Sequence, residues 1–566
     1  MRIRAIVTSA LLMTSTAACG ALVGIRDLSD ATEGPDAGTT DASVVDASVP
    51  DSSKSETGAP DARPDAPAPD AEPPALNGGE AHYLQSGDSV TLEYTSRATL
   101  AKKELTVASN GPFVLPEAAS NVRVKASAAG KKCWLRVEAS AVDLRCVLSG
   151  AVDVAAMTTD SSSFVPVPGA ELSFTTDLPN TDVLVAYSMP YLTTSGPEVN
   201  APNYASTYVR AIVDGDPSKV IDLTRMSTYW HQPWNQTLMG TLEVGPGAHK
   251  VVVEVLELQP SVVAGRVSMI GGSVDGGGGR TASFGSSLSL VALQSMETFR
   301  SLQSSRVTTG TVIPAADKDK WITVSSLSGS SPSPAKALLT AYYPEVFVTS
   351  PGSGSAAWFS LVSGTQPLVG HDFFHLQDDG GRRSIGMVTT ASVSGAYSFG
   401  VEQRTPLGPT RVAPAQGAGA RSGGALSAML FSDTSNLQSW SFSGDADLNG
   451  PLDTWQNVAS SKALVKAKGK ALVFASINRI SNTTPGGASE LALFDGTQPV
   501  LRGITQSWSF EYGMGCILAS VVDFSAPGTH ELELRVRRLN NGVALVRHSP
   551  TPDFRGVSSI TVLPLE

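Results

Sequence analysis

From Asp445 to Asp453 the chain reads DADLNGPLD, with oxygen donors at the first, third, fifth and ninth places and glycine at the sixth. Carboxylates crowded into one tight loop repel each other, and a hard divalent cation with oxygen ligands relieves that cost. Asp445, Asp447, Asn449 and Asp453 are therefore candidate Ca2+ ligands, with the Pro451 carbonyl at the seventh place and Gln456 where a bidentate acid would complete the loop. The alternative is an acidic turn between domains. The histidines promise less. His249 and His530 each stand two residues after a glycine, but Tyr397 takes the same place after Gly395. Tyrosine does not replace a general base or a ligand, so packing is the favoured role. His371 and His375 would bring their imidazoles together on one face only on a helix, and HDFFH lacks the glutamate of a zinc-binding HExxH. Cys516 lies in the apolar GCILASVV and reads as core. There is no GxSxG, no SxxK and no cysteine beside a histidine, so no catalytic residue is assigned.

Aromatic residues offer a second kind of chemistry. Tyr229, Trp230 and Trp234 sit in YWHQPWNQT, where rings alternate with amides, a composition suited to stacking on a sugar and bonding its hydroxyls. Phe373 and Phe374, and then Trp508, Phe510 and Tyr512, recur at matching places later in the chain. Recurrence favours core over a sugar platform, because a repeated fold must refill its core.

Both groups of residues are carried by a repeated unit. PGTHELELRV at 527–536, PGAHKVVVEV at 246–255 and SGAYSFGVEQ at 394–403 are each a glycine turn feeding a strand with apolar residues at every second place. Each turn is preceded by an opening apolar strand (VLVAYSM at Val183, ALLTAYY at Ala337, ALVFASI at Ala471) and a second glycine landmark at Gly215, Gly364 and Gly496. Each is followed by a closing strand: SSLSLVAL, GALSAMLF or SSITVLPL. From second landmark to turn the steps are 32, 31 and 32 residues. From turn to closing strand they are 41, 31 and 32, the first copy carrying an extra loop at Gly276 to Gly279. Four landmarks in order, three times, mark one domain used three times, over 162–296, 309–433 and 438–566. Such strand-rich units of about 130 residues predict β-sandwiches. The fold class is thus all-β, with tandem sandwiches, each copy having the strands for a core of its own.

The remaining chain concerns location. Residues 1–18 combine Arg2 and Arg4 with a short apolar run, a secretory signal far short of the ~20 residues a bilayer span needs. Residues 19–76 are rich in Asp, Ala and Pro: between Asp27 and Pro74 twelve acids against Lys54 and Arg63 leave −10 of the chain's net −11. With almost nothing to bury, this stretch is predicted to be a disordered tether. With +3 before it, the rest of the chain carries only −4, so no basic face for nucleic acid is expected. Residues 77–160 alternate around glycine turns as a small β module. There, in an oxidising compartment, Cys133 and Cys146 are expected to pair, with a metal pair the minor alternative.

Thr16-Ala17-Ala18-Cys19 resembles a bacterial lipobox, with threonine where leucine is usual. The resemblance implies that Cys19 is diacylated and becomes a membrane anchor, and Gly20 after it resembles lipoproteins sent to the outer membrane. An ordinary signal peptide is the alternative. The order SVTL, LTVASNGPFVL, VRVK, GKKC, Cys146 resembles a small all-β module of bacterial secreted and surface proteins. The glycine-turn strand and late closing strand resemble the jelly-roll domains of the C1q and tumour-necrosis-factor type. That likeness implies trimers, here three copies within one chain that can pack as a pseudo-trimer. Two functions follow. One is a non-catalytic surface lipoprotein displaying sandwiches for binding, adhesion or surface assembly, towards a protein or glycan ligand. The other is a carbohydrate-active hydrolase or its carbohydrate-binding accessory.

Overall fold

In the computed structural model, residues 79–80 and 89–565 are described, apart from 109–110, 127–132, 139–140, 177, 179, 196–204, 229–233, 259–266, 276–280, 308–310, 314–319, 349–354, 376–382, 406–409, 414–423, 444–445, 483–486, 507–512, 541–543 and 548–556. The described chain is all-β: apart from one short 3-10 turn at Leu293–Ser295, every regular element is a strand, and almost every pairing is antiparallel.

The small module folds as two three-stranded sheets. One joins Val90–Ser96 to Lys102–Val107 and Ala119–Ala126; the other joins Ala141–Cys146 to Gly111–Phe113 and Cys133–Glu138. Alternation in VTLEYTS puts Val90, Leu92 and Tyr94 inside and Thr91, Glu93 and Thr95 half-exposed. Cys133 and Cys146 are direct cross-strand partners joined by a disulfide, beside buried Val90, Leu92 and Leu144.

Each repeat is a sandwich of two sheets. In the first copy the inner sheet runs Ser149–Val154, Ser286–Ala292, Thr181–Ser195, Trp234–Val244. The outer sheet runs Val165–Thr176, Gly247–Leu258, Ala205–Val213, Asp216–Thr228. In the second and third copies the strands that are separate in the first become continuous. Ile322–Val348 and Gln456–Asn482 run through both sheets, as do their partners Arg383–Arg404 and Gly513–Arg538. Ser149–Val154 lies within 77–160 by sequence yet completes the first inner sheet. It corresponds to Phe299–Arg306 and Gln438–Phe442, which pair with the later closing strands.

The opening strands are apolar at both parities, the pattern of a strand buried on both faces. In the first copy Val183, Val185 and Tyr187 face the sandwich's own core, while Leu184 and Ala186 face away from it. In the third, Ala471, Val473 and Ala475 point in and Leu472 and Phe474 point away. The outward residues of all three copies meet in one shared cluster: Leu184, Leu338 and Leu472; Met239, Val388 and Ala519; Val291, Met429 and Leu563; Leu293, Phe431 and Leu565. Each trio occupies equivalent places in the three repeats, so the copies pack around a pseudo-threefold axis.

Hydrogen bonds close the ring. The Thr237 hydroxyl of the first copy donates to the Ile517 carbonyl of the third at 2.7 Å, and Ser559 of the third to the Val388 carbonyl of the second at 2.7 Å. Between first and second, the Thr224 and Ser384 hydroxyls lie 2.6 Å apart. Near one end of the axis, strands also pair across copies, Trp234 with Thr505 and Phe373 with Met514.

Candidate functional site

The turn histidines are built into the sandwich. His249 Nδ1 lies 2.9 Å from Asp214 Oδ2, and its Nε2 2.9 Å from the Gly245 carbonyl. Asp214 Oδ1 accepts from the Lys250 amide at 2.9 Å. Asp214 and Gly215 both have positive φ, 59° and 68°, the two central places of a type I′ hairpin turn. Partial burial raises the Asp214 pKa, but the bonds from His249 and Lys250 outweigh it and hold the carboxyl below its ordinary value. In the third copy His530 Nδ1 lies 2.7 Å from Asp495 Oδ2, with the ring 4.6 Å from that of Phe524. In the second copy both partners have changed: Ser363 stands for the aspartate, and Tyr397 donates instead to Gln303 at 2.9 Å. The imidazoles thus pin a hairpin to the strand beside it. The sequence signal was a paired exchange, Asp with His twice and Ser with Tyr once.

His371 is buried at the joint between the second and third copies. Its Nδ1–H donates to the Gly386 carbonyl at 3.0 Å, and burial pushes its pKa down to about 4, so the ring is neutral. Gly515 is the close approach that admits it, since a Cβ there would come within 2.6 Å of His371 Cγ. His375 ends the same strand, and its side chain lies outside the described residues. Cys516 is buried, which pushes its thiol up to about 12. Burial likewise raises the phenols of Tyr187 and Tyr343, each bonded to a serine, Ser286 and Ser325.

Of the proposed calcium ligands, Asp445 and the side chain of Asp447 lie outside the described residues. Asp453 has φ 59°, and its Oδ1 accepts from the Arg537 guanidinium at 2.7 Å. Arg538 donates to the carbonyls of Asn449, at 3.1 Å, and Gly450, at 2.9 Å. Gln456 accepts from the Gly450 amide at 2.9 Å, closing the loop on itself. Two guanidinium groups therefore hold the loop's described acceptors, the Asp453 carboxylate and the Asn449 and Gly450 carbonyls. Among the described residues no group of three or more His, Cys, Asp or Glu side chains comes together in a form that could hold a metal.

Of the aromatic candidates, Tyr229 and Trp230 lie outside the described residues. Trp234 is buried where the first copy meets the third, with the Arg383 guanidinium 5.9 Å from its ring. It is part of a packed joint, so this ring offers no open stacking face. Near the opposite end of the axis a cavity of about 360 Å³ opens where the inter-repeat junctions converge, floored by Met296, Leu437 and Leu565 and rimmed by Glu297, Thr434 and Asn436.

No family model and no curated protein sequence matches the chain. Among solved structures, it is similar to that titled "Structure of infectious bursal disease virus Gx strain", at 9% identity, covering 75% of this chain and 82% of that one, with a TM-score of 0.17. It is also similar to dimeric latent PorU from Porphyromonas gingivalis, at 8% identity and a TM-score of 0.18, covering 68% of this chain but only 32% of that one. At such TM-scores neither likeness carries an argument about this chain.

Proposed function

We propose that the chain is a non-catalytic lipoprotein of the outer membrane: Cys19 anchors it, 19–76 spaces it from the bilayer, and the three-lobed body is displayed for binding or surface assembly. One observation carries this reading. The described side chains best suited to nucleophilic or base chemistry are committed to structure: His249 and His530 to hairpin carboxylates, His371 neutral in a joint, and Cys516 protonated in the core. The lipobox and the acidic spacer support the location.

The test is metabolic labelling in a Gram-negative host. The chain should incorporate labelled palmitate and partition into detergent, and Cys19→Ala should abolish both. A wild-type chain that is unlabelled and detergent-independent overturns the anchor.

A further inference from the structure

On either side of the first copy's extra residues, Gly272–Asp275 pairs antiparallel with Thr281–Phe284. The apolar side of this pair packs onto the third copy, where Ala282 and Phe284 join Ala488, Ile504 and Leu539 in one buried cluster. The Arg502 guanidinium covers the Phe284 ring at 5.2 Å. Beside this contact a cleft of about 340 Å³ opens between the first and third copies. Exposed Pro499 and half-buried Val500 give it an apolar wall, Phe284 and Leu501 are buried in its lining, Ser188 and Ser286 are buried hydroxyls lining it, and exposed Asp153 stands at its edge.

We propose that this cleft binds a neutral saccharide, which gives the displayed body its ligand class and rests on the display reading above. Charge decides against an acidic ligand. Arg502 and Arg537 share buried Glu490 and Arg537 also holds Asp453, so two positive charges meet two negative ones, and Asp153 adds a further negative charge. The volume lies at the low end of small-molecule sites, whose apolar walls and few placed polar groups set orientation. A sugar ring matches such walls with its C–H face, while neighbouring hydroxyls donate charge-assisted bonds to a carboxylate such as Asp153. Ser286 already bonds the Tyr187 hydroxyl at 2.8 Å. A hydroxyl has one donor and two lone pairs, so Ser286 retains capacity for a ligand.

The test is saturation-transfer NMR on the purified full chain with maltose, cellobiose, lactose and glucuronic acid. Transfer is expected to at least one neutral disaccharide and not to glucuronic acid. Asp153→Ala, at an exposed site, should weaken the binding about tenfold, the scale of one charge-assisted bond. Ser520→Trp, which fills the cleft, should abolish it. No transfer to any disaccharide, transfer to glucuronic acid of equal strength, or binding unchanged in Asp153→Ala overturns the proposal. Palmitate labelling tests the display reading separately, so the failure of one is distinguishable from the failure of the other.

Discussion

Asp214 accepts from the His249 ring with one oxygen and from the Lys250 amide with the other, so a single carboxylate ties the first copy's hairpin turn to the strand beside it. Its folded pKa is depressed below the ordinary 3.8. The stability it contributes is therefore present above 3.8 and lost as pH falls through the lower folded value. Urea midpoints compared at about pH 6 and about pH 3 should drop less in Asp214→Asn than in the wild type. An equal drop in both would remove Asp214 from the acid response. His530→Ala should cost about 1.5–3 kcal/mol, as for a bond to a charged acceptor, in the same measurement. For the acidic loop, Arg537 and Arg538 already satisfy Asp453 and the Asn449 and Gly450 carbonyls. Calcium at about 5 mM, above the range of extracellular modules, should leave the calorimetric midpoint unchanged. An upward shift that Asp447→Ala abolishes would instead make the loop a cation site. The oxygen spacing was legible in DADLNGPLD, but the guanidinium groups come from residues more than eighty places further on.

Among elements, the long strand Gln456–Asn482 shows how one chain segment changes role along its length. Leu464 lies on the outer sheet and is 59% exposed, whereas Leu472 is buried in the cluster shared by the three copies. Leu472→Ala should cost about 2–5 kcal/mol, a transfer term plus a cavity that neighbouring sheets cannot collapse into. Leu464→Ala should stay within about 0.5 kcal/mol. Chemical denaturation of the two variants checks the contrast, and equal losses would place both faces in the same environment. The distinction was partly written in the sequence. KALVKAK puts Lys462, Lys466 and Lys468 on one parity, as a one-sided strand does, with exposed Leu464 the exception, while ALVFASI is apolar at both parities, as a strand covered on both faces is.

At the scale of the whole molecule, the inner faces of the first and second sandwiches run into one buried cluster, the third has its own, and all three copies share a central one. Separate copies would expose Leu338, Val388, Met429 and their equivalents. The body should therefore melt as one cooperative unit, and residues 309–433 alone should self-associate, as an exposed apolar face of this kind does. Calorimetry and sedimentation check this; a monomeric, folded second copy would show that the shared core is dispensable.

The sequence by itself determined the strands, the threefold repetition and the all-β class, because alternation, glycine turns and spacing are local properties that the backbone obeys wherever the segment lies. Equivalent apolar places in the three copies also carried the information that a second face was to be covered. Only the tertiary structure decided what covers it: Leu184, Leu338 and Leu472 meet each other because the copies close into a ring. The same holds for the polar residues. Asp495 and His530 are 35 places apart, Thr237 and Ile517 are 280, and Phe284 meets Arg502 only where the first copy packs onto the third. Such contacts depend on how sheets stack, and no local pattern encodes that.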